Sequence, residues 1–167
     1  MLILALFVLG ITARLMPHIP NFAPIVAIAL FSGAFLKKKY GIWLTLALYI
    51  ITDLIIGMHD VILFTWSSII LISLIGAGLK KKRLPNMIGY TLLSSVLFFV
   101  ISNFGVWLVG WYPPTLAGLT QCYVNAIPFF RSALLANLIY AVVLFKAYEF
   151  LAYRLKSKNL SSALLLT

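Results

Sequence analysis

Asp53 interrupts the apolar run Tyr49-Ile50-Ile51-Thr52-Asp53-Leu54-Ile55-Ile56. A carboxylate inside a membrane-spanning segment costs about 3 kcal/mol on insertion scales, so it marks an ion pair, a ligand contact, or both. Two cations, Arg14 and Arg131, are expected at the same level and either can pair with it. His18 and His59, with Cys122 and Asp60, supply imidazole, thiolate and carboxylate groups, each a usable metal ligand. None of these shows a local ligand spacing of the Cys-x-x-Cys kind, so ordinary loop residues are the reading preferred over a metal site, and no metal and no cofactor is expected. Trp107, Trp111, Tyr112 and Tyr123 form an aromatic group that reads either as an interfacial belt or as a stacking surface for a flat ligand. Asn103 and Asn137 fall inside apolar segments, where an amide most often makes an interhelical hydrogen bond.

The elements that must position these groups are set by composition. The chain has 167 residues, 63% of them hydrophobic and 10% charged. A soluble domain is closer to about 25% charged. The sequence therefore reads as a single-domain, all-α integral membrane protein. Its formal net charge of +10 would suggest nucleic acid in a soluble chain. Here the cations sit at span ends, where they act as topology signals and touch anionic lipid headgroups, so a nucleic-acid partner is excluded. The single cysteine permits no intrachain disulfide. The N-terminus lacks a basic stretch before its apolar run and reads as a retained helix rather than a signal peptide.

Spanning about 30 Å of hydrocarbon takes roughly 20 helical residues. Six segments are expected, at about 1–16, 22–36, 40–57, 61–79, 87–110 and 131–154. The first two are short and flank Met16-Pro17-His18-Ile19-Pro20-Asn21, where the prolines break a helix; they stand either as two spans or as one broken span. Three basic groups punctuate the map: Lys37-Lys38-Lys39, Lys80-Lys81-Lys82-Arg83, and Arg154 with Lys156 and Lys158. With six spans, 11 of the 13 Lys and Arg residues fall on one side, all but Arg14 and Arg131. By the positive-inside rule that side is cytoplasmic, and both termini lie there. The outer connections are then 17–21, 58–60 and 111–130. The last is long for a compact protein, which favours a functional loop. It is expected to be ordered, with a short interfacial or re-entrant helix that ends at Pro128.

Several chemistries have no motif. There is no Gly-x-x-x-x-Gly-Lys-Ser/Thr to power transport, and no Gly-x-Ser-x-Gly or His-Glu-x-x-His. Internal repeats, on which many secondary transporters are built, are not evident. No spacing links His18, His59 and Asp53 into a catalytic unit, so the chain is not read as an enzyme.

Three stretches carry a resemblance. The first is Arg14-Leu15-Met16-Pro17-His18-Ile19-Pro20-Asn21-Phe22-Ala23-Pro24-Ile25, with Ala29-Leu30-Phe31-Ser32-Gly33-Ala34 after it. The second is Thr52-Asp53-Leu54-Ile55-Ile56-Gly57-Met58-His59. The third is Ser102-Asn103-Phe104-Gly105-Val106-Trp107-Leu108, followed by Leu116-Ala117-Gly118-Leu119 and by Cys122-Tyr123-Val124-Asn125-Ala126-Ile127-Pro128-Phe129-Phe130-Arg131. Together they resemble a family of small bacterial membrane proteins of unassigned function, described as candidate transport proteins and similar to the substrate-binding S component of energy-coupling-factor (ECF) vitamin transporters. The resemblance implies a bundle of six transmembrane helices in the bacterial inner membrane, with a pocket open to the outside and closed by the outer loops. It also implies, as partners, a separate transmembrane subunit and cytoplasmic ATPases. The Ala-x-x-x-Ala docking patch that many S components carry on their first helix is not present: Ala5 is followed four residues later by Leu9.

The resulting expectation is a membrane component that binds a small vitamin-like molecule for uptake. Arg14, His18, Asn21, Asp53, His59, Asn103, Trp107, Cys122, Tyr123, Asn125 and Arg131 would line or shape its pocket. The alternative is a structural subunit of a cell-envelope complex, which would need no outer cavity.

Overall fold

The structure, a computed structural model, describes residues 2–16, 21–79 and 82–157. These form six α-helices: α1 (Leu2–Leu15), α2 (Ile25–Phe35), α3 (Lys38–Ile56), α4 (Ile62–Ala77), α5 (Leu84–Leu108) and α6 (Leu116–Ser157). Among the described residues the fold is entirely helical. Three helices are long and apolar enough to cross a membrane: α3, α5 and the Leu116–Arg154 portion of α6. α1, α2 and α4 are apolar but shorter.

α2 is the centre of the molecule. All eleven of its residues are buried, and it packs against each of the other five helices. A helix apolar on every side has to be surrounded in this way. At 1.5 Å per residue it is only about 16 Å long, roughly half the hydrocarbon thickness. Its small residues let neighbouring backbones close in, the usual device where helices associate by packing rather than by expulsion of water. A Cβ added at Gly33 would sit 2.0 Å from the Ser73 carbonyl oxygen, and one at Gly76 would sit 2.3 Å from that of Leu30. Hydroxyls bridge the same seam: Ser73 Oγ meets Thr45 Oγ1 at 2.9 Å and donates to the Ala29 carbonyl at 3.2 Å.

Pairwise contacts fix the directions of the helices. Gly10 faces Leu48 while Arg14 meets Thr52 and Asp53, so α1 and α3 are parallel. Thr45 meets Ser73 while Asp53 meets Trp66, so α3 and α4 are antiparallel. Asn137 bonds the Ala27 amide while Tyr148 packs on Phe31 and Phe35, so α2 and α6 are parallel. The connections after α2 and α4, with Lys37, Lys82 and Arg83, therefore gather at one end, where Lys82 lies over the Phe35 ring. The connections after α1, α3 and α5 gather at the other, where the Trp111 indole reaches Asp60 at 3.4 Å.

The sixth helix departs from the sequence expectation. It begins at Leu116 rather than near residue 131 and runs through Pro128 without ending. Its start has a local cause. Pro113 and Pro114 cannot continue a helix backwards, and Thr115 caps the first turn by accepting the Gly118 amide on Oγ1 at 3.1 Å. Pro128 removes one backbone bond, a loss that neighbouring packing tolerates in apolar helices. The long outer loop expected over 111–130 is thus a tight turn followed by helix. At 42 residues, α6 is about 63 Å long, twice the hydrocarbon thickness.

Candidate functional site

A cleft opens at the end of the bundle opposite the lysines, in two adjoining lobes. The larger, of about 410 Å³, is bounded by Arg14, Asn21, Tyr49, Ile56, His59 and Thr65, with Phe98, Ser102, Ala133 and Asn137 as its far wall. The smaller, of about 230 Å³, continues between α5 and α6 past Ser95, Phe99, Asn103, Phe129 and Phe130. Asn21, Val26, Phe98, Ser102, Ala133 and Asn137 line both. All six helices contribute lining side chains, α1 through Arg14.

One wall is organised by Asp53, which is 1% exposed on the last turn of α3. Arg14 donates to its Oδ1 at 2.5 Å, and the Trp66 indole donates to its Oδ2 at 2.8 Å. The His59 Nε2 lies 3.8 Å from the same Oδ2. Arg14 also donates to the Thr52 hydroxyl, which in turn donates to the Leu48 carbonyl, and its guanidinium lies 4.1 Å from the centre of the Tyr49 ring. A buried carboxylate needs this density of donors, since an unpaired one would be strongly destabilising. The carboxylate is therefore fully engaged inside the wall. The cleft is presented instead with the guanidinium, the imidazole and the phenol ring.

Gly57 ends α3 with φ 120° and ψ 140°, a backbone that a side chain would strain. That reversal carries the chain from α3 back over Asp53 and places His59 at the rim. On the opposite side Asn21 adopts φ 61°, a left-handed conformation asparagine tolerates better than most residues.

The floor is built by Asn137 of α6. Its Oδ1 accepts the Ala27 amide at 3.3 Å, and its Nδ2 reaches Ser95 Oγ at 3.4 Å. One amide thus joins α2, α5 and α6, the interhelical role expected for it from the sequence.

The sequence-selected residues divide into two groups. Arg14, Asn21, His59 and Asn103 line the cleft, and Asp53 stands behind them. Of the two possible partners for Asp53, Arg14 makes the pair; Arg131 is exposed on α6. Trp107, Cys122, Tyr123 and Asn125 do not line the cleft and instead hold the α5–α6 hairpin together. The Trp107 indole donates to the Pro113 carbonyl at 3.0 Å, and the Cys122 thiol contacts the Asn103 carbonyl at 3.4 Å. The Tyr123 hydroxyl donates to the Val100 carbonyl at 2.8 Å, and the Asn125 amide reaches the Tyr112 hydroxyl at 3.3 Å. His18 lies outside the described residues. Among those described, no three His, Cys, Asp or Glu side chains come together as a metal site. Sequence reading missed Tyr49, Trp66, Ser95 and Ser102. The only available signal was helical spacing: Tyr49 lies one turn before Asp53.

Three helices able to cross a membrane, around a buried apolar centre, fit an integral membrane protein. The chain belongs to the family of unknown function DUF6580, whose model matches residues 1–160. No curated protein matches it, and no solved structure does.

Proposed function

We propose that this protein is a substrate-binding membrane component that takes up a small, vitamin-like molecule in its two-lobed cleft. In this reading the lysine-bearing end and both termini are cytoplasmic, in a bacterial inner membrane, and the cleft opens outward. The observation that supports it is the cleft itself. Its larger lobe, about 410 Å³, falls in the range of pockets that enclose small ligands, roughly 300–1,000 Å³. Its walls combine the features such pockets use: aromatic surface from Tyr49, Phe98 and Phe99, and a few polar groups from Arg14, His59, Asn103 and Asn137. Arg14 and Asn137 are held by partners within the protein, so they can orient a ligand without being ordered by it.

The chain has no nucleotide-binding motif, so net uptake would draw its energy from a separate transmembrane subunit with ATPases, as the resemblance to ECF S components implies. The test is native mass spectrometry of the purified protein, followed by thermal-shift measurement against a panel of vitamins and their precursors. The expected result is a co-purifying mass below about 500 Da and a rise in melting temperature with one chemical class. If no mass is retained and no member of the panel shifts the melt, the protein is better read as a structural subunit.

A further inference from the structure

We infer that the groove between α1 and α3 at the lysine-bearing end seats one anionic phospholipid, with its acyl chain in the groove and its phosphate against Lys37, Lys38 and Lys39. The groove has a volume of about 480 Å³ and is walled by Leu4 and Phe7 of α1 and by Tyr40, Trp43, Leu44 and Ala47 of α3. The α3 residues fall at i, i+3, i+4 and i+7, a single helical stripe, and the lysines stand directly before it. Leu4, Tyr40 and Trp43 are exposed, so the wall is open along its length to whatever surrounds the helices.

Charge sets this cluster apart from four of the other described cations, which already have company. Arg14 pairs with Asp53 and Lys146 with Glu149, while Lys82 lies over Phe35 and Arg154 over Phe150. Among the described residues, Lys37, Lys38 and Lys39 have neither an acidic partner nor an aromatic face, and the first turn of α3 holds no acidic residue. Three adjacent exposed lysines therefore lack a counter-charge among the described residues, directly before an apolar channel flanked by a tyrosine and a tryptophan. That order of groups, cation, interfacial aromatic, hydrocarbon wall, matches the order along a lipid from phosphate to glycerol to acyl chain. Tyrosine and tryptophan rings prefer the headgroup level, which places Tyr40 and Trp43 beside the glycerol backbone. The inference depends on membrane residence and not on what the outer cleft binds.

The experiment uses the full chain in neutral detergent, with phosphatidylglycerol and phosphatidylcholine of identical acyl chains added in turn, and counts retained lipids by native mass spectrometry. One phosphatidylglycerol is expected to be retained at least about tenfold more tightly than phosphatidylcholine, a preference that falls as salt is raised. Lys37→Gln with Lys38→Gln and Lys39→Gln should abolish that preference. Ala47→Trp, which fills the groove without changing charge, should abolish retention of the lipid itself. Lys82→Gln with Arg83→Gln should leave both intact. Absence of any headgroup preference in the unmodified protein overturns the proposal, whatever the variants do. It is equally overturned if the preference survives the triple substitution, or if Ala47→Trp leaves retention unchanged, since the charges or the groove would then not form the seat.

Discussion

Arg14 and Asp53, thirty-nine residues apart, meet at 2.5 Å across the α1–α3 contact and hold the only wall of the cleft that carries a buried charge among the described residues. Removing one member of such a pair leaves the other uncompensated, which typically costs about 3–5 kcal/mol, whereas replacing both by apolar residues of similar size is often close to neutral. Arg14→Met or Asp53→Leu alone is therefore expected to lower the melting temperature steeply. The double variant should recover most of the loss. Thermal melts of the four proteins in one detergent give the coupling, and additive single effects would show that the pair is not the unit that matters.

Ligand binding can be probed where the two lobes join, since Ala133 of α6 lines both. Ala133→Phe is expected to fill the junction of the lobes and weaken ligand retention by at least about tenfold, equivalent to about 1.4 kcal/mol. Trp107→Phe removes only the bond to Pro113 outside the cleft, and retention should be unchanged. Affinity measured by thermal shift with the retained molecule separates the two variants, and equal losses would move the site elsewhere.

Close packing around α2 predicts opposite outcomes for chemically identical changes. Gly33→Ala would drive a methyl group to 2.0 Å from the Ser73 carbonyl oxygen, a backbone atom that cannot move aside. A loss of about 1–3 kcal/mol or more is expected. Gly89→Ala, in the interior of α5, adds a methyl group with nothing within 4 Å. There the gain in helix propensity, about 0.5–1 kcal/mol, should appear as a higher melting temperature. The two melts differ in sign if the α2–α4 seam is as tight as described.

Much of this arrangement is legible in the sequence, and the exceptions share a cause. Hydropathy finds six helices, though it starts the last one late, and the described cluster residues Lys37, Lys82 and Arg83 fall at one end of the bundle. Asp53 stands out because a carboxylate is rare in apolar sequence, and Arg14 follows as one of the two cations expected at the end away from the clusters. Periodicity is blind to what single side chains do at helix ends. The Thr115 cap has no acidic residue after it to complete a recognisable box, so the sequence alone starts the last span near 131 and reads Pro128 as the end of a separate short helix, where the structure has one continuous α6. The same difference bears on Cys122, Tyr123 and Asn125, since a loop would be free to fold over the cleft and a helix is not; Trp107 lies on α5, inside the segment expected for it, and its indole is tied to Pro113 instead. The depth of α2 is equally hidden: an almost wholly apolar run of eleven residues reads alike as a short span or a central strut, and only its neighbours decide.

The cap on α6 is directly testable. Thr115 Oγ1 satisfies the Gly118 amide, one of the four backbone donors that a helix start leaves open. Thr115→Ala should cost about 1 kcal/mol and Thr115→Ser very little, read as a difference in melting temperature. If alanine is harmless, the start of α6 is held by Pro113, whose carbonyl already accepts from both the Trp107 indole and the Thr115 amide.

The two ends of the bundle can be assigned to the two sides of the membrane by cysteine labelling in intact cells. The native thiol, Cys122, is 2% exposed and turned toward the Asn103 carbonyl, so it should give little background. Pro114→Cys sits in the exposed turn between α5 and α6, at the cleft end. Lys82→Cys sits at the lysine end, beside Phe35. An impermeant maleimide added to whole cells should label the first and spare the second, while both should react after the membrane is permeabilised. The reverse pattern would turn the cleft toward the cytoplasm, where an uptake component has no ligand to capture, and would place the lysines against the positive-inside rule. Labelling of both in intact cells would mean that the helix ends do not lie on opposite sides, and α5 could then not be a single crossing.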